Sequence, residues 1–457
     1  MITLALLLSW SALAVPAQAS FMLAPAEADT LPEPFVKKNG WLAAGEAAGL
    51  NLLIWSYDRY IRENGENPGF RISIDSWKEN FKNGFEWDDN SFTTNQFAHP
   101  YHGSLYFNAA RSNGFDYWGS LPFALGGSLM WEYLMETHHP SYNDWIATSI
   151  GGAAFGESLH RLSAMIFDNT ATGSNRTWRE IGGFVVNPMG GLNRLIHGDA
   201  TKVQRNPADR MPGDFRSNFE IGFRTIGENR MWESDTTRVY IRAAFDYGDP
   251  FGGDTEKPFD TFNFDLQLNF GDVSGIGHAK INGLLTAYTL SESENSTHLL
   301  TANQHFTYIN NSAYELGDQS FSAGYLSKID GRDVSLITKL NAVGIIMGAT
   351  KSDYEDFTGR SYCYGPGLGF SFSTAILRNN RPFFSLGHSS QWITSLNGDS
   401  ADHYITYTYG RLDLPIQNFF GLGVEYNLYH ADRHYDDFPD VVQRNPEVKL
   451  YMNWLAY

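Results

Sequence analysis

The sequence predicts a mainly β fold class with a helical N-terminal region: a transmembrane antiparallel β-barrel of about 12 strands preceded by a small α-helical domain. Three observations carry this. The period of the apolar pattern changes from helical to two near Phe215. The segments beyond it run roughly 9–11 residues with strict alternation, the length and pattern of a membrane strand. The chain opens on a secretion signal, and no long, uninterrupted apolar run follows.

The signal occupies residues 1–19. An apolar run, Ile2 to Val15, leads to Ala17-Gln18-Ala19, with cleavage expected before Ser20. No Lys or Arg precedes the run, and it is shorter than the ~20 residues a spanning helix needs. Ser20 in place of a cysteine excludes a lipoprotein. The single Cys363 excludes an intramolecular disulfide and a cysteine-based metal cluster. A net charge of -18 argues against a nucleic-acid partner, which needs a basic face. Aromatic residues make up 15% of the chain, and Tyr and Trp gather at membrane interfaces.

Residues 20–40 read as a flexible lead and 41–168 as the helical domain, expected at the periplasmic mouth or in the lumen of the barrel. Trp41 to Glu63 is its first helix; Asn64 to Gly69 breaks it. Arg71 to Trp77 reads as a short strand and Lys78 to Asn95 as a loop. Pro100 opens the next helix, where its missing N–H costs nothing, and Gly114 ends it. Tyr117 to Glu136 follows, stopped by His139-Pro140. Ser141 or Asn143 caps the last helix, with Asp144 in its first turn. Residues 169–214, rich in Gly, Asn, Arg and Pro, read as a linker.

The barrel is assigned to 215–457, with strands starting near Arg216, Thr237, Phe259, Gly277, Thr297, Ala313, Val334, Ser361, Pro382, Ala401, Asn418 and Pro446. In the clearest, Phe262, Phe264, Leu266, Leu268 and Phe270 should face lipid, against Asn263, Asp265, Gln267 and Asn269. Ala313 to Leu326 is polar on both faces and Val334 to Ala349 apolar on both. The chain ends on an aromatic strand, as outer-membrane barrels do. A soluble β-sandwich would bury its apolar faces equally well, but would not need a signal or such a strand. An even strand count places both barrel ends on the periplasmic side. The outward loops look short, which lowers the reading as a general porin.

Polar residues of the helical block fall at helical spacing. His102 and Tyr106 are four apart, with His99 at the helix entry; Ser128, Glu132 and Glu136 form one stripe; Glu157 and Arg161 are four apart, with His160 beside them. Carboxylates on apolar faces need partners, so Glu132, Glu136 and Glu157 should meet Arg111, Arg161 or the histidines. The bland reading is a buried structural network. The sharper one makes His99, His102, Glu132, Glu136, Glu157 and His160 catalytic candidates, with Tyr106, Arg111, Ser128, Asp144 and Arg161 as binding residues. There a His–Glu–Asp set acts as a general acid/base pair or holds a divalent metal. No metal motif supports the latter, so no metal and no cofactor are expected. No nucleophile or phosphate-loop motif is present. In the barrel, Glu220, Arg224, Arg242, Asp246, Asp265, Lys280 and Glu425 should face the lumen, as solvated or mutually paired charges. A lipid-hydrolysing Ser–His pair is conceivable from His278, His305 and His388 with Ser371, Ser373, Ser385 and Ser389.

The block HPYHGSLYFNAAR, SLMWEYLMETHHPSYNDW and GGAAFGESLHR, spanning roughly Asn95 to Arg161, resembles an uncharacterised Gram-negative family, a domain of unknown function associated with outer-membrane barrels. The resemblance implies a location in the cell outer membrane and this architecture. It implies no activity, substrate or catalytic residue. The expected function is transport or envelope maintenance, with an outer-membrane enzyme acting on lipid or lipopolysaccharide as the alternative. Expected partners are outer-membrane lipid, the barrel-assembly machinery and a periplasmic protein.

Overall fold

A computed structural model describes residues 37–456 apart from 63–68, 229–236, 254, 272–274, 312, 356–358 and 418. The expected signal, most of the lead, the break at 64–68 and the terminal Tyr457 lie outside the described residues. The chain divides into two compact units: residues through Asp88 with Ala98–Met211, and Asp89–Phe97 with Pro212 onward.

The first unit is helical. α1 spans Gly40–Tyr57, its first turn capped by Asn39, whose side chain accepts from the Leu42 N–H at 3.1 Å. α2 spans Ile74–Asn83 and corrects the expected strand at Arg71–Trp77 and loop from Lys78. Ser73 and Ser76 close a reciprocal capping box, and satisfying those orphan N–H groups outweighs the alternation of two isoleucines. α3 (His99–Ser112) has Pro100 in its first turn, and Gly114 ends it at φ 84°. α4 is Tyr117–Leu134, where Asp116 Oδ1 accepts from the Gly119 N–H at 2.7 Å. α5 (Tyr142–Ile146) continues through a π-helical turn, Ala147–Gly151, into α6 (Gly152–Ile166).

The expected linker at 169–214 is a second correction. It holds α7 (Gly173–Val186) and α8 (Pro188–Ile196). Gly183, Gly190 and Gly191 are packing positions, not breaks: a Cβ on Gly183 would lie 2.2 Å from the Phe167 ring. Asn187 ends α7 and caps α8, accepting from the Gly190 N–H at 2.9 Å.

The second unit is a closed barrel of 12 antiparallel strands in sequence order. They are β1 Phe215–Ile226, β2 Thr237–Tyr247, β3 Phe262–Asn269, β4 Ile276–Ser293, β5 Ser296–Asn310, β6 Glu315–Asp330, β7 Val334–Lys351, β8 Tyr362–Arg378, β9 Arg381–Thr394, β10 Ala401–Pro415, β11 Phe420–Tyr435 and β12 Val441–Ala456. β12 begins five residues ahead of the expected Pro446. β1 closes on β12 from Ser217↔Ala456 to Ile226↔Glu447, so no edge is left. Phe223, Leu368, Phe370, Leu422, Leu450 and Trp454 are exposed on the outer face while charged residues fill the lumen, the polarity of a membrane barrel.

The outer face is not uniform. Phe262, Phe264, Leu266 and Leu268, expected to face lipid, are buried instead. Phe245, Tyr247 and Phe259 pack around the first two. The segment Asp89–Phe97 lies on the barrel over β5, β6 and β8. Asn95 donates to the hydroxyls of Tyr362 (3.0 Å) and Tyr364 (2.8 Å), and Phe92 and Phe97 pack on Tyr308. A Cβ on Gly317 would meet Gln96. Tyr308 alternates with the lumen-facing His305 and Thr307, and Tyr362 and Tyr364 share the face of the exposed Leu368 and Phe370, so this strap lies on the outside. It meets β6 at outward-facing Gly317, and outward-facing Gln319, two residues on, is fully buried, so polar character on that face is not exposed to lipid.

Candidate functional site in the helical unit

The close crossing of α3 with the α5–α6 helix creates the site. A Cβ on Gly103 would sit 1.7 Å from the Thr148 carbonyl oxygen in the π-helical turn, and one on Gly152 would sit 2.6 Å from the Gly103 carbonyl carbon. Only glycines allow this approach, which brings His99 beside Asp144 and Thr148. π-turns inside helices often mark functional positions.

Two clusters result. In the first, one donor atom each from His99, Glu132 and Asp144 lie within 4.8 Å of one another. His99 Nε2 is 3.6 Å from Asp144 Oδ1, and its Nδ1 is 3.3 Å from Thr148 Oγ1. Glu132 Oε2 accepts from the Ser141 N–H at 2.8 Å; Asn143 donates to Asp144 Oδ1 at 2.8 Å. Glu132 and Asp144 are 3% exposed, so their charge is at issue. Burial, then neighbouring carboxylates, pushes both well above the usual range. Burial likewise raises Glu136 to about 7 against the opposing pull of His99, while the Trp131 indole N–H donates to its carboxylate. Burial lowers His99 and takes His102 down to about 3, and His102 Nε2 lies 2.7 Å from the Tyr106 hydroxyl, which also bonds Asn51.

The second cluster is an ion-pair triad. Glu157, fully buried, accepts from Arg111 Nε at 2.7 Å and Arg161 Nε at 2.8 Å. Burial opposes ionisation, but the two guanidiniums hold its carboxyl at about 2. His160 is held at about 3 by burial and by Arg111. Arg111, His160 and Arg161 line a cavity of about 200 Å³ shared with Arg194 and Arg210.

The expected partnering thus splits. Glu157 meets both Arg111 and Arg161; Glu132 and Glu136 meet neither, and sit among carboxylates, His99 and backbone N–H. Ser128 is buried one turn before Glu132, its hydroxyl without a partner among the described residues. Thr148 was missed in sequence because its role depends on the π-turn. Arg194 and Arg210 were missed because their stretch read as linker.

In the lumen, Glu220, Arg224, Arg242, Asp265, Lys280 and Glu425 face inward. With Arg411, Asp413, Glu447 and Lys449 they make a layer of five cations and five anions. Arg242 forks onto Asp265 with two contacts of 2.7 Å and reaches Glu425 at 3.4 Å; Arg411 bonds Glu220 at 2.5 Å; Arg224 bonds Glu447 at 2.6 Å; Lys449 bonds Glu425 at 3.0 Å. Asp246 stays outside this layer, exposed and bonded to Asn263. Lys280 Nζ lies 4.4 Å from the Tyr407 ring, joining β4 to β10, which stand opposite one another in the ring of strands. Nearer the β5–β6 turn, Tyr314 packs on Tyr429 of β11 and joins Ile309, Leu316, Ile345, Ile393 and Ile405 in an apolar cluster. His278 pairs with Asp265, His305 with Ser322 and His388 with Thr408, so among the described residues none of the three pairs with Ser371, Ser373, Ser385 or Ser389.

Fold and lumen define an outer-membrane β-barrel protein with a helical unit. Residues 84–189 of the chain carry the domain described as "Domain of unknown function (DUF3943)". No curated protein matches the chain. Among solved structures, the NanC porin aligns at 9% identity over 51% of this chain and 98% of its own, with a TM-score of 0.28. The outer membrane channel DcaP of Acinetobacter baumannii aligns at 8% over 53% and 96%, TM-score 0.23. The toluene transporter TodX of Pseudomonas putida aligns at 6% over 53% and 88%, TM-score 0.21. The barrel assignment rests on the strand pairing of this chain itself.

Proposed function

We propose that this protein maintains the outer envelope as a closed, membrane-anchored barrel, its chemistry carried by the helical unit and not by an open pore. The observation that supports this is contact across the full width of the lumen: Lys280 of β4 on Tyr407 of β10, and Tyr314 on Tyr429. An aqueous channel leaves lumen charges solvated; here Arg224, Lys449, Glu220 and Glu447 are each at most 2% exposed. Breaking such a layer strands buried charges, which holds it shut. Purified protein in planar bilayers should therefore show no steady unitary conductance, while Tyr314→Ala with Lys280→Ala should introduce one. A stable open level in the unaltered protein defeats the proposal.

A second reading, an enzyme acting on lipid or lipopolysaccharide, is favoured by the carboxyl of Glu136, whose value of about 7 suits a general base near neutral pH. Glu136→Gln should then change the lipid profile of cells that still hold folded barrel; an unchanged profile removes this reading.

A further inference from the structure

We propose that His99, Glu132 and Asp144 bind a divalent transition-metal ion of the zinc or manganese class, with a fourth position left for water or substrate. One imidazole nitrogen and two carboxylate oxygens converge within 4.8 Å, contributed by three separate helices, α3, α4 and α5. Bonds of about 2.0–2.2 Å place such donors roughly 3.5 Å apart, so closing on an ion draws them in by about 1 Å. The imidazole is prepared for this. Thr148 Oγ1 lies 3.3 Å from Nδ1 and can accept its proton, which leaves Nε2, 3.6 Å from Asp144 Oδ1, with a lone pair for the ion, the outer-shell support a liganding histidine uses.

Charge is the second argument. Among the described residues neither Glu132 nor Asp144 has a lysine or arginine partner, whereas Glu157 in the same unit has two. The groups acting on them are Glu136, Asp88 and one another. Buried carboxylates grouped without a cation must be protonated or must hold one. Ser128, buried without a partner on the stripe of Glu132, adds an unused hydroxyl one turn away. Three protein ligands and an open position is the make-up of a catalytic site, not of a closed structural one, and one nitrogen with two oxygens suits zinc or manganese over a thiophilic ion.

Full-length protein in detergent, dialysed against zinc or manganese chloride and then metal-free buffer, is assayed for metal by mass spectrometry. About one equivalent is expected, falling about tenfold or more in Asp144→Asn and Glu132→Gln, which mimic the protonated acids and so preserve packing. Binding must release protons and weaken as pH falls. Absence of either metal from the unaltered protein, or full retention by Asp144→Asn, overturns the proposal. If the variants do not assemble, the unaltered protein decides: the unfolding midpoint of its helical unit should rise with added zinc or manganese and fall with chelator, and a midpoint indifferent to all three overturns it.

Discussion

Replacing Glu157 with glutamine should unfold the helical unit at a markedly lower urea concentration while leaving the barrel intact. The carboxylate lies between Arg111 and Arg161 at 2.7 and 2.8 Å and is fully buried. Its carboxyl sits at about 2 against an ordinary 4.5. That gap, at about 1.36 kcal/mol for each pH unit, is about 3 kcal/mol, near the low end of the roughly 3–5 kcal/mol lost when one member of a buried ion pair is removed. The amide keeps the shape and loses the charge, so two guanidiniums face each other uncompensated. Because the folded value lies below the unfolded one, this stabilisation is present above about 4.5 and is lost as pH falls through about 2. Tryptophan fluorescence reports the right unit: Trp41, Trp55, Trp77, Trp87, Trp118, Trp131, Trp145 and Trp178 lie in it, against Trp392 and Trp454 in the described strands. Barrel integrity is followed by heat-modifiable gel mobility. A loss under about 1 kcal/mol at neutral pH would show that the triad is solvated and that the reasoning fails.

Three further outcomes follow from the geometry. Glu136, raised to about 7, should make the metal-free helical unit less stable as pH rises from about 4.5 through about 7; Glu136→Gln should flatten that slope in urea titrations at stepped pH. Gly103→Ala should leave the barrel folded and render the helical unit protease-sensitive, because the new methyl would lie 1.7 Å from the Thr148 carbonyl oxygen; wild-type resistance would refute the close crossing. Asn95→Ala should remove two buried hydrogen bonds, each worth about 1 kcal/mol, while Tyr362 keeps the Asn90 carbonyl and Tyr364 as partners; easier proteolysis near residues 89–97 checks it, and unchanged protection would refute it.

The barrel was legible because a period of two survives whatever the partner is. Alternation says which side a residue takes, and Glu220, Arg242 and Asp265 took the expected one. It does not say which charge answers which: Arg411 on Glu220 spans strands far apart in the chain. Nor does it say what covers the outer face, so Phe262 to Leu268 read as lipid-facing. In the helical unit, α3 and α4 were readable from Pro100, Gly114 and the spacing of polar residues. α7 and α8 were not, since Gly183, Gly190 and Gly191 look like breaks until Phe167, Asn187 and Phe184 are seen packed on them. The meeting of Glu157 with Arg111 and Arg161 was anticipated. A His–Glu–Asp set was anticipated too, but not that His99 is its histidine or that Thr148 stands beside it, because both depend on a crossing no one-dimensional period encodes.

The strap at Asp89–Phe97 sets an order of events. Asn95 and its acceptor Tyr364 are 269 residues apart in the chain, and the other anchors lie on β5 and β6. The groove that receives this early-made segment does not exist until strands synthesised much later have paired. Docking of the strap is therefore completed late in biogenesis, and a chain halted before β8 forms would lack the Tyr362 and Tyr364 hydroxyls that Asn95 bonds, leaving the segment held by its β5 and β6 contacts alone and open to chaperones and proteases.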